Sequence, residues 1–165
     1  MNKDIKNFHI PRWEELPNID LYMDQVVSFI ETHLTDLIYS NDKFITKTMI
    51  NNYVKHGILN SPINKKYNRT HLARLIVICI LKQVYSISDI KSLIDLALET
   101  SGIEISYNKF CILVERLIVS IFKKEEFTYL DEELTEERYL LKTVVQSFVS
   151  KLYAEYSYLN NKKSE

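Results

Sequence analysis

The sequence predicts an all-α fold carrying one small two-stranded wing, and three observations lead there. Glycine occurs only at Gly57 and Gly102 in 165 residues, too few for Gly-rich phosphate loops or a series of tight β-hairpins. Apolar side chains recur at helical spacing in one segment after another. Between two of these segments, Asn60-Ser61-Pro62-Ile63-Asn64-Lys65-Lys66-Tyr67 is polar and turn-prone, long enough for a tight two-stranded excursion and too short for a helix. With 46% hydrophobic and 26% charged residues the chain is globular rather than disordered. Its length suits one domain, or a small module with an appendage.

Residues 1–17 read as an arm. Pro11 and Pro17 interrupt any helix, while Phe8, Ile10, Trp13 and Leu16 are apolar enough to pack on the body or on a partner subunit. Asp20 is placed to cap a helix reaching about Ile38, with Val26, Val27, Phe29, Ile30, Leu34, Leu37 and Ile38 on its apolar face. Ser40-Asn41-Asp42-Lys43 breaks it. A short helix follows from Thr46 or Thr48 to just before Gly57. Ile50, Tyr53 and Val54 share one side of it, and Thr48, Asn52 and Lys55 lie opposite, flanked by Lys47 and Asn51. Gly57 suits the left-handed position after a helix end, and Ile58 and Leu59 anchor the exit.

Thr70 is a candidate cap for a helix to Val84 that buries Leu72, Leu75, Ile76, Cys79 and Ile80. Ser86 or Ser88 caps the next, Ile87 to Leu98, with Thr100-Ser101-Gly102 as its stop. The helix from Ser106 carries a wide apolar stripe, Phe110, Leu113, Val114, Leu117, Ile118 and Ile121, which suits the centre of the fold. The last helix spans about Leu134 to Tyr158, and the end, 160–165, frays. In it Leu141, Val145, Phe148, Leu152, Tyr156 and Leu159 approximate a heptad seam, suited either to dimerisation or to packing on the body.

Neither catalysis nor metal binding is visible. His9, His33, His56 and His71 lie in different segments without nucleophile-base or ligand spacing. His56 and His71 fit surface or backbone-bonding roles. Cys79 and Cys111 sit in apolar helical patterns and read as two reduced core thiols. The acidic run Glu125, Glu126, Asp131, Glu132, Glu133, Glu136 and Glu137 straddles a loop and a helix start, where carboxylates favour the helix dipole. The longest apolar run, Leu75 to Leu81, is far short of the roughly 20 residues of a membrane span. No signal-peptide core follows Met1, so a cytoplasmic location without membrane contact is expected. No enzyme activity, cofactor or metal is expected.

Charge is distributed unevenly. Residues 1–42 hold three Lys/Arg and eight Asp/Glu, giving −5, and residues 92–165 hold nine and thirteen, giving −4. Between them Lys43, Lys47, Lys55, Lys65, Lys66, Arg69, Arg74, Lys82 and Lys91 face a single acid, Asp89, giving +8. A basic block between acidic flanks suits one face that neutralises phosphates while the rest repels them.

The order of elements over residues 45–94 is that of a winged helix-turn-helix followed by supporting helices. The stretch ITKTMINNYVKHGILNSP…KKYNRTHLARLIVICILKQVYSISDIKSLI resembles the N-terminal DNA-binding domain of MerR-type regulators. The likeness runs through Ile45, Thr46, Ile50, Tyr53, Gly57, Ile58, Leu59 and Pro62. It continues with Tyr67, Leu72, Arg74 and Leu75, then Ser86, Ile87, Asp89, Ile90, Lys91, Leu93 and Ile94. Asn51 and Asn52 stand where that family has Arg and Tyr, Val54 replaces Glu, the stretch from Leu59 to Pro62 is one residue longer, and no arginine precedes the wing tyrosine. Over more of the chain, IPRWEELPNIDLYMDQV together with INNYVKHGIL and LKQVYSISDI resembles an uncharacterised bacterial family, domain of unknown function 1836.

These likenesses divide the chain into an arm (1–19), a winged helix-turn-helix module (20–98) and a C-terminal helical region (99–165). They imply a sequence-specific, double-stranded DNA-binding protein, a transcriptional regulator that inserts the helix near 46–56 in the major groove and lays the 61–67 wing on the backbone. Asn51 and Asn52 have the amide geometry for a bidentate adenine contact. Lys47, Thr48 and Lys55 suit phosphates. Lys65, Lys66 and Arg69 add charge at the wing, with Tyr67 stacking or donating its hydroxyl. A homodimer through the C-terminal helix would present two such helices to two half-sites. The alternative is a helical protein-interaction module that turns the same basic face to an acidic protein partner.

Overall fold

The computed structural model describes residues 4–38, 43–129 and 135–159, and they are mostly helical. Strand β1 (Leu21–Tyr22) leads into α1 (Met23–Leu34), which a single 3-10 turn extends to Leu37. After α2 (Lys47–Lys55) comes β2 (Lys66–Tyr67), then α3 (Arg69–Leu81), α4 (Ile87–Thr100), α5 (Ile103–Lys123) and α6 (Glu136–Ala154), which ends in a π-helical turn to Leu159. No helix among the described residues is long and apolar enough to cross a membrane. The predicted break at 40–43 is described only at Lys43; Leu134, the acidic residues 131–133 and the tail 160–165 lie outside the described residues.

The largest difference from the sequence reading is the sheet. The loop after α2 folds back through a single Ile63–Lys66 bridge, and its pairing continues beyond the loop. Its outgoing strand pairs antiparallel with the end of the arm, Leu21 opposite Tyr67 and Tyr22 opposite Lys66. That pairing takes the first helix's start away from Asp20: Tyr22 is extended and occupies the cap position, while Gln25 accepts from its backbone N–H at 2.9 Å. The α3 cap also moves. Asn68 rather than Thr70 accepts from the His71 backbone N–H, at 3.2 Å. Thr46 and Ser86 cap α2 and α4 as predicted. α5 begins three residues before Ser106, directly after the Ser101-Gly102 break.

A single cluster of buried side chains runs from Ile5 to Leu152 and draws on the arm, the middle helices and the C-terminal pair. α3 lies at its centre. Nine of its thirteen residues are buried, including every position from Leu75 to Leu81 except Val77, so it is enclosed on almost all sides instead of presenting one face. α5 packs against α3, α4, α6 and the arm, in keeping with its wide stripe. The middle of the α6 seam is spent inside the chain. Val145, Phe148 and Leu152 are at most 1% exposed, and α6 packs chiefly on α5, with Phe122 meeting the rings of Tyr153 and Tyr156 edge-on. Leu141 and Tyr156 of the same seam are only partly buried, and Leu159 is half exposed. Cys79 and Cys111 are free, buried thiols.

The arm is tied to α5 by polar groups as well as by Ile5, Ile10 and Leu16. Glu115 accepts from the Ile10 backbone N–H at 2.7 Å and from Arg12 through both guanidinium ends. The Tyr107 hydroxyl donates to the Pro11 carbonyl at 2.7 Å, and Asn108 accepts from the Trp13 N–H at 2.8 Å. Three residues of one helix, Tyr107 and Asn108 side by side and Glu115 about two turns further on, thus hold a segment whose own backbone bonds are confined to two short 3-10 turns.

Removing the hydroxyl in Tyr107→Phe should lower stability by about 1 kcal/mol, and Glu115→Gln, which leaves Arg12 without its counter-ion, by about 2 kcal/mol. Urea unfolding midpoints check both; unchanged midpoints would show that the arm is not docked there. Burial pushes the Cys79 and Cys111 thiols from an ordinary 9.0 up to about 12. The unfolded chain therefore loses these protons first, so their contribution is fully present below about pH 9 and declines above it by about 1.4 kcal/mol per pH unit per thiol. A Cys79→Ala, Cys111→Ala double variant should show a shallower loss of stability between about pH 9 and 11.

Candidate nucleic-acid interface

The short helix α2 is divided sharply by burial. Ile50 and Tyr53 are 0% and 5% exposed and belong to the core, whereas Lys47, Thr48, Asn51, Asn52 and Lys55 are all exposed. Positions i, i+4 and i+8 with their i+1 and i+5 neighbours form one continuous stripe, so the helix turns every polar candidate outward on a single face. Thr46 fixes its start by accepting from the Met49 N–H at 3.2 Å. Its end is a left-handed stop. Gly57 has φ +70°, and the N–H groups of Ile58 and Leu59 both reach back to the Tyr53 carbonyl at 3.1 Å.

Two cations, Arg74 of α3 and Lys82 at its C-terminal cap, hold the chain on either side of this helix. The Lys82 ammonium donates to the Phe44 carbonyl just before α2, 3.8 Å from the Met49 sulfur and 5.6 Å from the centre of the Phe44 ring. Burial lowers its pKa. Arg74 donates to the Ile58 carbonyl just after α2, at 3.4 Å. Both were counted in the basic block, but both face inward to backbone. Lys91 is paired with Asp95 on α4 at 2.7 Å. The cationic surface is therefore smaller than the +8 of the sequence.

The wing is a turn of the smallest kind. Ile63 and Lys66 exchange backbone hydrogen bonds of 3.0 and 2.9 Å, and Asn64 and Lys65 between them have φ +51° and +63°, the geometry of a type I′ turn. Lys65 is fully outside. Lys66 lies with its ammonium 5.1 Å from the Tyr22 ring centre, and the Arg69 guanidinium is 5.7 Å from the Trp13 ring, its Nε enclosed without a partner. Tyr67 differs from the sequence reading. It is 2% exposed and meets His71 edge-on, so it supports the wing from beneath and offers no ring to a ligand. His71 Nδ1 lies 3.1 Å from the Asn68 backbone N and 2.8 Å from the Asn68 Oδ1, and its Nε2 lies 3.3 Å from the Ser61 carbonyl. It is the backbone partner expected of it.

Residues that sequence reasoning missed join the helix to the wing. Lys47 forms an ion pair with Asp24 in the first turn of α1, and Tyr22, two residues earlier, pairs with Lys66. The start of α2 and the wing thus meet across residues 22–24 on one edge. No local pattern announces this, because β1 is only two residues long and Asp24 is 23 positions from its partner. Exposed apolar groups stand beside it: Ile19, Tyr22 and Ile63 are each more than half exposed.

A family model described as a domain of unknown function, DUF1836, matches residues 11–110. The chain belongs to this family. The match spans the second half of the arm, both strands, α1 to α4 and the beginning of α5, so the DUF1836 region contains the outward face of α2, the wing and the α3 residues that hold them. No curated protein and no solved structure matches the chain.

Gly57→Ala should lower stability by about 1 kcal/mol through its left-handed backbone alone, since a Cβ there meets nothing within 4 Å. Thermal unfolding checks it, and a neutral result would mean the α2 exit is not held at positive φ.

Proposed function

We propose that this protein binds double-stranded DNA as a winged helix-turn-helix module similar to that of MerR-type regulators, and acts as a transcriptional regulator. The observation that carries the reading is the exposed stripe of Lys47, Thr48, Asn51, Asn52 and Lys55 on a helix whose opposite face is locked in the core. A helix presented in this way fits the major groove. Asn51 and Asn52 lie mid-stripe, where base edges are read, and the lysines lie at the ends, where phosphates pass. Lys65 and Lys66 supply charge to the neighbouring backbone. Arg69 and Tyr67 act behind the interface, Arg69 against Trp13 and Tyr67 beneath the wing. A dimer, which two half-sites require, would use surfaces other than the buried middle of the α6 seam.

The Lys47–Asp24 pair sharpens the reading. Both side chains are more than half exposed, so the pair adds little to stability, and a phosphate would compete with Asp24 for the ammonium. Asp24→Asn should therefore leave the unfolding midpoint nearly unchanged and strengthen DNA binding. Lys55→Glu and Lys65→Glu should weaken binding to every sequence, and neutralising each should reduce the salt slope by about one. Asn51→Ala or Asn52→Ala should instead cost about 1 to 3 kcal/mol at a preferred base pair and leave non-specific binding intact. Fluorescence anisotropy on duplexes at several salt concentrations measures all of these; identical curves for the lysine variants and the unchanged chain would remove the interface.

One observation favours a second reading, a protein-interaction module that receives an acidic partner. Ile19, Tyr22 and Ile63, at 66%, 55% and 64% exposure, put apolar surface beside Lys65 and Lys66. A selection from random duplexes that enriches a short motif would dismiss it; no enrichment, with a protein retained through Tyr22 and Ile63, would favour it.

A further inference from the structure

α3, α4, α5 and the beginning of α6 line a half-open cavity of about 570 Å³, within the roughly 300–1,000 Å³ of small-molecule sites. Val77, Leu93, Ala97, Phe110 and Leu141 make its walls largely apolar. Its charged lining is one-sided: Arg74, Lys109 and Arg138 stand against the single carboxylate of Glu137. Two of the neutral polar groups are turned to backbone. Ser106 Oγ donates to the carbonyls of Ala97 and Ser101, and the Tyr107 hydroxyl donates to Pro11.

Arg74 is the exception. Among the described residues its one hydrogen bond is the 3.4 Å contact to Ile58, its Nε is enclosed without a partner, and no carboxylate pairs with it. A half-buried guanidinium bordering an apolar cavity without a counter-ion is costly, and an anion brought in on an apolar body offsets that cost. We propose that this cavity binds an amphipathic monoanion, an aliphatic carboxylate whose chain lies between α4 and α6 and whose head meets Arg74. Because the same guanidinium holds the Ile58 carbonyl at the exit of α2, occupancy draws it away from that exit and alters the set of α2. This coupling rests on the DNA-binding reading; the ligand site does not.

Calorimetric titration of the full chain with decanoate and, in parallel, with decanol tests the site. Decanoate should bind at least about tenfold more tightly than decanol, the size of one charge-assisted hydrogen bond. Arg74→Gln should erase the difference, Arg74→Lys should restore part of it, and Ala97→Trp should block both ligands. No binding of decanoate to the unchanged chain, or equal binding of the two ligands, overturns the proposal, and that comparison needs no variant to fold. In a second arm, decanoate should change the affinity of the unchanged chain for DNA and not that of Ala97→Trp. Binding of decanoate with no effect on DNA affinity refutes the coupling alone, and binding of decanoate by a chain with no affinity for DNA refutes the proposed function alone.

Discussion

The enclosure of α3 is the constraint from which the rest follows. Nine of its thirteen side chains are out of solvent, and its neighbours occupy nearly every direction around it. Arg74 within it and Lys82 at its C-terminal cap must therefore find partners close by, and they find backbone carbonyls: Lys82 takes that of Phe44 and Arg74 that of Ile58. A charged group near the interior is tolerated when such bonds offset its lost hydration. The same bonds fix α2 at both ends. With Ile50 and Tyr53 in the core, the helix cannot roll, so its polar stripe is presented by the packing and needs no ligand to organise it.

Electrostatics then separates two kinds of basic residue that the sequence counts together. Arg74 and Lys82 position backbone, while Lys55 and Lys65 stand in solvent. Between these extremes Lys47 is held by Asp24, and Lys66 and Arg69 lie against Tyr22 and Trp13, aromatic groups brought by the arm. The arm thus shapes the basic surface as well as the core. It is anchored at a distance by Glu115, Asn108 and Tyr107 of α5, which makes the C-terminal half a support for the wing through a segment that precedes both.

Much of the helical frame is legible in the sequence because it is local. The spacing of Ile50 and Tyr53, the glycine after α2, the serine before α4 and the stripe of α5 each act within a few residues. What escaped is long-range. Tyr22 pairs with a strand 44 positions away, and that pairing overrides a good cap at Asp20. Tyr67 carries a polar tip that invites a surface role, yet its ring fills the space under the wing because His71 follows one helical turn later. A heptad spacing in α6 is the same whether its partner is another chain or α5; only the adjacency of α5 decides. Net charge, likewise, has no direction until helices give it one.

On the proposed DNA-binding reading, the outer stripe of α2 and the turn at Asn64 and Lys65 form one DNA-facing surface. Backbone amide shifts recorded while duplex DNA is added to isotopically labelled protein address it directly. The perturbations should concentrate at 47–55 and 63–66 and fade across α5 and α6. Perturbations centred on α5 or α6, or none at all, would contradict it.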